Sequence, residues 1–278
     1  MKEIENLKKA ILDEYPRLAQ DSSFTFRCHK GVSCFNDCCG DVNIFLTPYD
    51  IIRLKNRLGI ASGELIAKHT ISPFDENLRY PVVMLKMQDN EKKSCPFVSE
   101  QGCTVYEDRP WSCRMYPLGL ASPKDGSDEL DKEFYFLLQE GVCKGFQEKR
   151  KQTVSDWIKD QGIAEYNELG DLFKDIALHE GLQKDGGMTP EKIEMFFMVA
   201  YDIDKFHNFI FKSTFLDKFE VDDETRQKIE KDDVELLKFG FNWLRFSLFG
   251  EKTMTVKQDV LHAKQSELEA KMSQKKTE

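Results

Sequence analysis

The sequence predicts an α+β fold in three parts: a small cysteine-rich α+β module with an N-terminal helix over residues 1–150, a helical region over residues 151–250, and a polar tail, helical or disordered, over residues 251–278. Two observations support this division. All eight cysteines lie before position 145, where short apolar runs bounded by turn residues predict strands. From Thr153 onward, apolar residues recur three or four positions apart, as on one face of a helix.

Two helices are predicted within the first module. In residues 2–20 the apolar side chains follow helical spacing, which predicts an amphipathic helix that packs as a lid. The stretch TPYDIIRLKNRLGI has Thr47 as N-cap, Pro48 at the first helical position and Asp50 at the third, a helix-start signature. Gly59 is expected to end this second helix.

Three strands are predicted in the same module. They are the stretches VNIFL at residues 42–46, YPVVMLKMQ at residues 80–88 and FYFLL at residues 134–138. We expect the strand at residues 80–88 to pair, through a turn at Asp89 and Asn90, with a partner inside residues 95–106.

Three long helical patterns follow, at residues 155–182, 189–219 and 222–250, each opening with a Ser, Thr or Asp cap. The second opens with Thr189 and Pro190. The aromatic residues at helical spacing in this region are interpreted as packing core rather than as a cofactor pocket. They are Phe196, Phe197, Tyr201, Phe206, Phe209 and Phe215.

Composition excludes several function classes. The net charge of -9 and the pI near 5.3 argue against nucleic-acid binding, which depends on cationic side chains at phosphates. The start of the sequence lacks the apolar segment of a secretory signal, so we expect a cytoplasmic protein. The longest apolar run, Met195–Tyr201, is far shorter than the ~20 residues that span a bilayer, so no membrane association is expected.

The cysteines point to a metal. In a reducing compartment, dense thiols more often bind metals than form disulfides, and a cysteine nucleophile among them would be trapped as a disulfide on oxidation. Zinc and iron–sulfur clusters each take four thiolates, so eight could fill two sites, or one site with supporting thiols. The candidate metal ligands are Cys28, Cys34, Cys38, Cys39, Cys95, Cys103, Cys113 and Cys143.

The spacing of these residues excludes an ordinary zinc ribbon, because paired C-x2-C knuckles are absent from C-x5-C-x3-C-C and C-x7-C-x9-C. Adjacent Cys38 and Cys39 point in different directions on an extended backbone, so they bind one ion only in a tight turn, or else serve two neighbouring sites. Gly31 and Gly40 bracket this group and let the chain wrap closely around a metal. His29 is a candidate nitrogen ligand.

Two arginines flank Cys113. A cluster held by four thiolates carries net negative charge, which cations stabilise, so Arg109 and Arg114 are predicted to bind the cofactor through charge. The alternative for Arg109 is a surface pair with Glu107 or Asp108.

These residues resemble a known family. The first cysteine group, then CPF, then GCTVYEDRPWSCRMYPLG and the late cysteine in GVCKG are similar to the YkgJ-like cysteine-cluster family, named for a CxxCxxCC motif. The resemblance covers residues 24–147, and its most specific piece is CTVYEDRPWSCRMYP. It implies zinc or iron chelation by the matching cysteines. The first spacing, five and three residues, differs from the two and two of the family name.

The same domain occurs in flagellin lysine N-methylases, and this resemblance implies methyl transfer from S-adenosylmethionine to lysine. No glycine-rich nucleotide loop supports that reading independently. The sequence therefore predicts a metal-binding protein with an iron–sulfur centre, of the [4Fe–4S] type, or with zinc, active in redox chemistry or methyl transfer. The alternatives are a zinc-stabilised interaction module without catalysis, whose protein partner binds the helical half, and an S-adenosylmethionine-dependent lysine methylase.

Overall fold

The computed structural model describes residues 16–73, 79–121, 133–139, 141–183, 188–263 and 265–266. The amphipathic helix predicted in residues 2–20 falls almost wholly outside the described residues. Within them the chain forms two compact units. Unit 1 comprises the described residues of Met1–Gly59, Ala67–Phe74 and Val82–Asp171, and unit 2 those of Ile60–Ile66, Asp75–Pro81 and Leu172–Glu278.

Short antiparallel strands and short helices build unit 1, and the predicted α+β class is confirmed. The strands are β1 (Ser23–Thr25), β2 (Phe45–Leu46), β3 (Thr70–Ile71), β4 (Val83–Leu85), β5 (Val98–Ser99), β6 (Gly102–Cys103), β7 (Leu118–Ala121), β8 (Phe134–Leu137) and β9 (Lys151–Thr153). The helices from the start of the described chain to Ala177 are α1 (Pro48–Leu58), α2 (Ser62–His69), α3 (Trp111–Met115), α4 (Val154–Asp160) and α5 (Ile163–Ala177).

Strand pairing differs from the prediction at one point. Strand β4 lies between β2 and β3 in a three-stranded antiparallel sheet, so both of its edges are occupied. The expected pairing of this strand with residues 95–106 is therefore wrong. That segment forms a hairpin of its own, β5 with β6, while β1 pairs with β9 and β7 with β8.

Helix α1 begins and ends where the sequence predicts. Thr47 and Asp50 form a capping box: the Thr47 side chain accepts from the Asp50 backbone N–H at 3.1 Å, and the Asp50 carboxylate accepts from the Thr47 N–H at 2.7 Å. Gly59 ends the helix in the left-handed conformation, with φ of 65°.

The core of unit 1 is aromatic. Phe26 lies at its centre, with its ring centroid 5.6 Å from that of Trp157 and 5.2 Å from that of Phe146. Cys143 packs against this core, which connects the cysteine region to the main apolar cluster. The buried members of the cluster are Phe24, Phe26, Met115, Leu118, Tyr135, Val154, Trp157 and Ile163.

Unit 2 is helical, as predicted. Its further helices are α6 (Glu180–Gln183), α7 (Pro190–Ala200), α8 (Ile203–Lys212), α9 (Phe215–Lys218), α10 (Asp223–Lys231) and α11 (Asp233–Phe249). The long helical patterns are interrupted where a side chain caps a new helix: Asp232 separates α10 from α11 by accepting from the N–H groups of Val234 and Glu235. No described helix is long and apolar enough to cross a membrane.

The aromatic residues of unit 2 form a packing core, as interpreted from their spacing. Phe196, Tyr201, Phe206 and Phe215 are buried, while Phe197 and Phe209 are half-buried. The rings of Phe206 and Trp243 stack with centroids 5.8 Å apart, which joins α8 to α11.

Gly240 allows α11 to approach its neighbours closely. A Cβ atom at this position would lie 2.6 Å from Val199 Cγ1 and 2.8 Å from Phe206 Cε1, both on buried side chains. We expect Gly240→Ala to lower the free energy of unfolding by ~1–3 kcal/mol through overpacking, measured by urea denaturation. The control is Gly170→Ala in α5, where a Cβ would meet nothing within 4 Å and better helix propensity adds up to ~1 kcal/mol. Equal effects of both substitutions would contradict this packing.

Candidate metal centre

The first cysteine group lies on a series of tight turns. Backbone N–H groups return to carbonyls three residues earlier: Asp37 donates to Cys34 at 3.0 Å, and Cys39 to Asn36 at 2.9 Å. Asn36 adopts the left-handed conformation, with φ of 71°, and a 3₁₀ turn spans Asp37–Cys39. Cys38 and Cys39 thus lie on a tight turn, which is one of the two alternatives that the sequence left open.

The turns are held against the segment that carries the second cysteine group. The backbone N–H of Cys95 donates to the Cys39 carbonyl at 2.7 Å, and the Asn36 side-chain amide donates to the Ser99 carbonyl at 2.9 Å. Gly40 lies where the two segments meet, and a Cβ there would lie 2.6 Å from a backbone carbonyl oxygen. A glycine is needed at this position because the backbones approach so closely.

The late cysteine is joined to the first group by its neighbours in sequence. The Lys144 N–H donates to Cys34 Sγ at 3.1 Å, and the Arg27 N–H donates to the Gly145 carbonyl at 3.1 Å. These two contacts bring Cys143 and Cys28, 115 positions apart in sequence, to the same side of unit 1.

Backbone N–H groups point at several sulfur atoms. Besides Lys144 at Cys34, Phe97 donates to Cys95 Sγ at 3.5 Å. Burial raises the pKa of the Cys103 thiol, and a backbone hydrogen bond from Val105 partly opposes that rise. Hydrogen bonds of this kind stabilise thiolates and tune metal centres that thiolates hold.

The eight cysteines are all free thiols, and we describe them as two sets of four. We call Cys28, Cys34, Cys38 and Cys143 the outer set, because it contains the two exposed cysteines, Cys28 and Cys38. Partial burial of the Cys28 thiol, together with repulsion by the other three members, raises its pKa to about 11, although Arg109 opposes this rise.

We call Cys39, Cys95, Cys103 and Cys113 the inner set, none of which is exposed. Burial raises the pKa of Cys113 to about 12, with further contributions from Cys95, the Asp50 carboxylate and Cys103. The pKa of Cys39 is raised first by a hydrogen bond with the Cys38 thiol, then by burial. Without a cation, these thiols are therefore held protonated.

Arg109 provides positive charge beside both sets. Its side chain is only 8% exposed, donates to the Tyr106 carbonyl at 2.7 Å and to the Gln161 side chain, and lies 3.8 Å from the Tyr106 ring centroid. Burial raises the pKa of Cys28, Cys103 and Cys113, and the Arg109 guanidinium partly opposes that rise at each of them. The alternative of a surface pair is wrong, because Arg109 is buried and Asp108 pairs with Arg53 at 2.6 Å.

The chemistry of these donors fits a soft metal. Eight reduced thiols in two sets of four match the four thiolates that zinc or an iron–sulfur cluster takes. In the part of the chain that the structure describes, no three His, Cys, Asp or Glu side chains are already gathered as a group that could hold a metal ion. The fit of these residues to a soft metal therefore rests on the type of donor atom and on the closeness of the segments that carry the cysteines.

Comparison with known proteins assigns this region. Residues 27–153 match the model of the CxxCxxCC family, described as a "putative zinc- or iron-chelating domain". Residues 27–153 are thus similar to this chelating domain, which we call the CxxCxxCC domain. Searches of the curated proteins and of the solved structures find no significant match. The matched CxxCxxCC domain contains all eight cysteines, which supports metal binding by zinc or iron. The relation to flagellin lysine N-methylases stays a prediction.

Arg114, the second predicted cofactor-binding arginine of the CxxCxxCC domain, is 7% exposed and contacts backbone. It donates to the carbonyls of Arg109 at 3.0 Å and Gln161 at 2.6 Å, and to that of Glu107, and its guanidinium lies 4.7 Å from the Tyr166 ring centroid. These contacts fix the turn that carries Arg109. A direct role of Arg114 toward a cofactor stays a prediction.

Asp50 has a second role that the sequence did not predict. Besides capping α1, its buried carboxylate accepts from the Trp111 N–H at 2.8 Å and so anchors the helix that carries Cys113. The capping pattern predicts only the local role, because the contact with Trp111 joins positions 61 residues apart. Burial raises the pKa of Asp50 to about 6.

A role of His29 as a nitrogen ligand stays a prediction. Its Nδ1 atom accepts from the Gly31 N–H at 3.1 Å, and its Nε2 atom lies 3.1 Å from Glu148 Oε2, a contact without hydrogen-bond geometry. The ring therefore braces the first turn of the outer set.

We expect Arg114→Lys to lower the free energy of unfolding of the CxxCxxCC domain by ~2–3 kcal/mol, measured by urea denaturation. A lysine ammonium cannot reach three separate carbonyls as the planar guanidinium does, so buried acceptors lose their donor. The control is Arg150→Lys, which loosens only a half-exposed pair with Asp160 at 3.7 Å and should change stability little. A neutral Arg114→Lys variant would refute this bracing role.

The raised pKa of Asp50 predicts that the free energy of unfolding depends on pH. Its folded-state pKa is raised from 3.8 to about 6, so its contribution to stability is present in full below about pH 4 and is lost as pH rises through 6. Relative to Asp50→Asn, the wild type should lose about 3 kcal/mol of unfolding free energy between pH 4 and pH 7, measured by urea denaturation of both proteins at each pH with the same metal content.

The control for this experiment is Asp156→Asn. The exposed Asp156 carboxylate accepts from Thr153, and this hydrogen bonding lowers its pKa, so its contribution is present above its ordinary pKa and is lost as pH falls. The stability difference from the wild type should therefore change with pH in the opposite direction. The same slope for both variants would contradict the assignment for Asp50.

Proposed function

We propose that the CxxCxxCC domain holds a cysteine-ligated iron–sulfur centre for electron transfer. The observation that carries this proposal is Arg109, a buried guanidinium that acts on thiols of both sets and pairs with no carboxylate among the described residues.

A buried cation without a counter-ion is costly, since the lost hydration is not offset by hydrogen bonds to neutral groups alone. Around Arg109 the described contacts are a carbonyl, an amide and the Tyr106 ring, all neutral. A metal centre ligated by four thiolates carries net negative charge. Ligation would thus supply the anion that this cation lacks.

The surroundings of the thiols support the same chemistry. The raised pKa values of Cys28 and Cys113 mean that these residues bind metal only by releasing protons, and the N–H groups directed at Cys34 and Cys95 stabilise the resulting thiolates. Metal binding should therefore weaken as pH falls. Raised thiol pKa values and N–H donors at sulfur are both expected at a site where the cysteines ionise only when the metal binds.

Iron–sulfur is preferred to zinc because of what the positive charge can do. Zinc undergoes no redox change, whereas a bound iron–sulfur cluster would accept an electron and gain negative charge. Arg109 would stabilise that added charge, and N–H donors to sulfur act in the same direction. Arg109 and the N–H donors would thus favour reduction of a bound cluster.

The finer predictions stay proposals. No contact among the described residues adds support to them. They are a zinc-stabilised interaction module, a protein partner of the helical half, S-adenosylmethionine-dependent methyl transfer and a cytoplasmic location.

The proposal is tested on full-length protein purified without oxygen. Iron and acid-labile sulfide together with a broad visible absorption that bleaches on reduction would support an iron–sulfur centre. Stoichiometric zinc without visible absorption would replace redox function with a structural site. Protein that binds neither metal, even after reconstitution, would overturn the proposal.

Arg109→Gln should lower the midpoint reduction potential of the bound centre by on the order of 60 mV, equivalent to a tenfold change in the one-electron equilibrium, as followed by redox titration. Arg109→Lys keeps the charge and should largely restore the potential.

The matched control for this titration is Arg57→Gln. Arg57 also lowers the pKa of Cys103, but its side chain is 46% exposed, so solvent screens its charge and the potential should change little. Equal shifts in Arg109→Gln and Arg57→Gln would show that burial of Arg109 has no special effect.

A further inference from the structure

Positive charge is concentrated beside the exposed thiol Cys28, in a chain whose net charge is -9. Residues 27–31 and 141–153 lie together there, since the Arg27 N–H donates to the Gly145 carbonyl at 3.1 Å. These two segments contain six cationic side chains and one carboxylate, that of Glu148. The cations are Arg27, Lys30, Lys144, Lys149, Arg150 and Lys151.

The ribbon formed by β1 and β9 directs several of these cations to one face. Gln152 is buried, so the neighbouring Lys151 points to the outer face. The ladder continues for one more pair, where the Phe26 N–H donates at 3.0 Å to the carbonyl that precedes Lys151. Alternation along the ribbon then places Arg27 and Lys149, both exposed, on the same outer face.

Carboxylates neutralise little of this charge. Arg150 pairs with Asp160 at 3.7 Å, and Glu148 contacts His29 at 3.1 Å. In the part of the chain that the structure describes, no carboxylate pairs with the other five cations. We call these five the basic surface: Arg27, Lys30, Lys144, Lys149 and Lys151.

Two ammonium groups of the basic surface contact neutral acceptors. Lys30 Nζ donates to the Gln101 side-chain amide oxygen at 2.9 Å, and Lys144 Nζ donates to the Gly141 carbonyl at 3.3 Å. These contacts hold the two side chains in place without cancelling their charge. An anionic group that approaches the surface therefore meets positive charge that is already positioned.

An exposed apolar side chain accompanies the cations. Val142 is 65% exposed, the highest value among the large hydrophobic side chains of the described residues. The next residue, Cys143, packs against the core of unit 1 and so fixes the place of Val142 at the surface. Protein interfaces combine apolar contacts with a polar, charged rim. Val142 and the basic surface provide both.

This surface adjoins two of the eight thiols. In sequence, Cys28 lies between Arg27 and Lys30, and Cys143 lies between Val142 and Lys144. A partner seated on the basic surface therefore covers the chain on both sides of each of these cysteines. Such a partner would lie next to the proposed metal centre.

We infer that the basic surface docks an acidic protein, a one-electron carrier that reduces the metal centre. The docked carrier is oxidised by one electron and the bound iron–sulfur centre is reduced by one, with no transfer of a proton or of a chemical group. Docking depends on side chains that are not metal ligands. The electron transfer rests on the proposed function.

The charge distribution favours a protein over a membrane or a nucleic acid. Outside the basic surface the chain is more acidic than its net charge of -9, and those carboxylates would repel an extended anionic surface. A small protein with a local acidic patch meets the five cations alone. Complementary charge of this kind speeds association and makes it sensitive to salt.

The test measures the binding of two acidic one-electron carriers, a [2Fe–2S] ferredoxin and a flavodoxin, to the full-length protein by calorimetry. Binding in about 0.02 M salt should weaken about tenfold or more in about 0.3 M salt, since exposed charges are then screened. Lys149→Glu with Lys151→Glu should weaken binding on the order of tenfold at low salt, because two attractions become repulsions. Neither lysine adjoins a cysteine, so metal content should not change.

The matched control is Lys192→Glu with Lys205→Glu. Both lysines are exposed in unit 2, and the described residues offer neither of them an ion pair. This variant changes the net charge by the same amount, and binding of the carriers should change little. Lys149→Arg with Lys151→Arg keeps the charge and should bind as the wild type does, which separates charge from side-chain shape.

Several outcomes would overturn the docking surface. They are no binding of either carrier, binding that salt does not weaken, and equal losses in the charge-reversal variant and its control. Salt-sensitive dimerisation in ultracentrifugation that Lys149→Glu with Lys151→Glu abolishes would replace the acidic partner with a second copy of the chain. Binding to phosphatidylserine vesicles that the same variant abolishes would replace it with a membrane.

Electron transfer is tested separately, by mixing the protein with reduced ferredoxin in a stopped-flow instrument. Bleaching of the visible absorption of the centre should slow in Lys149→Glu with Lys151→Glu and not in the control variant. Docking without any bleaching would leave the surface standing and overturn the electron transfer. Protein that holds only zinc and still docks the carriers would overturn the proposed function alone.

Discussion

The organisation of unit 1 depends on one electrostatic constraint: four or more thiols can be gathered and ionised only beside positive charge. Burial and mutual repulsion raise the pKa of Cys28, Cys39 and Cys113, and among the described residues Arg109 is the buried cation that opposes this at both sets. The surrounding contacts serve that arrangement. Arg114 holds the carbonyl of Arg109, and Asp50 anchors the helix in which Cys113 lies.

Short elements suit this purpose. Unit 1 has strands of two to four residues and turns that close within three, so its backbone N–H groups are free to point at sulfur and carbonyl acceptors close to the cysteines. Its apolar core around Phe26 and Trp157 is small, but Cys143 packs directly on it. The thiol region and the core therefore support each other.

Unit 2 has a different physical basis. Its stability comes from helix packing by aromatic side chains, with Gly240 allowing close approach and Asp232 starting α11. No cysteine occurs there.

The sequence by itself determined the local features: the capping box at Thr47, the end of α1 at Gly59, the helical nature of unit 2 and the eight candidate ligands, because each depends on residues a few positions apart. Tertiary structure decided the rest. The partners of β4, the burial of Arg109 and the second role of Asp50 all depend on contacts between distant positions. Spacing along the chain carries no record of such contacts, since turns and packing bring Cys28 to Cys143 and Cys39 to Cys95.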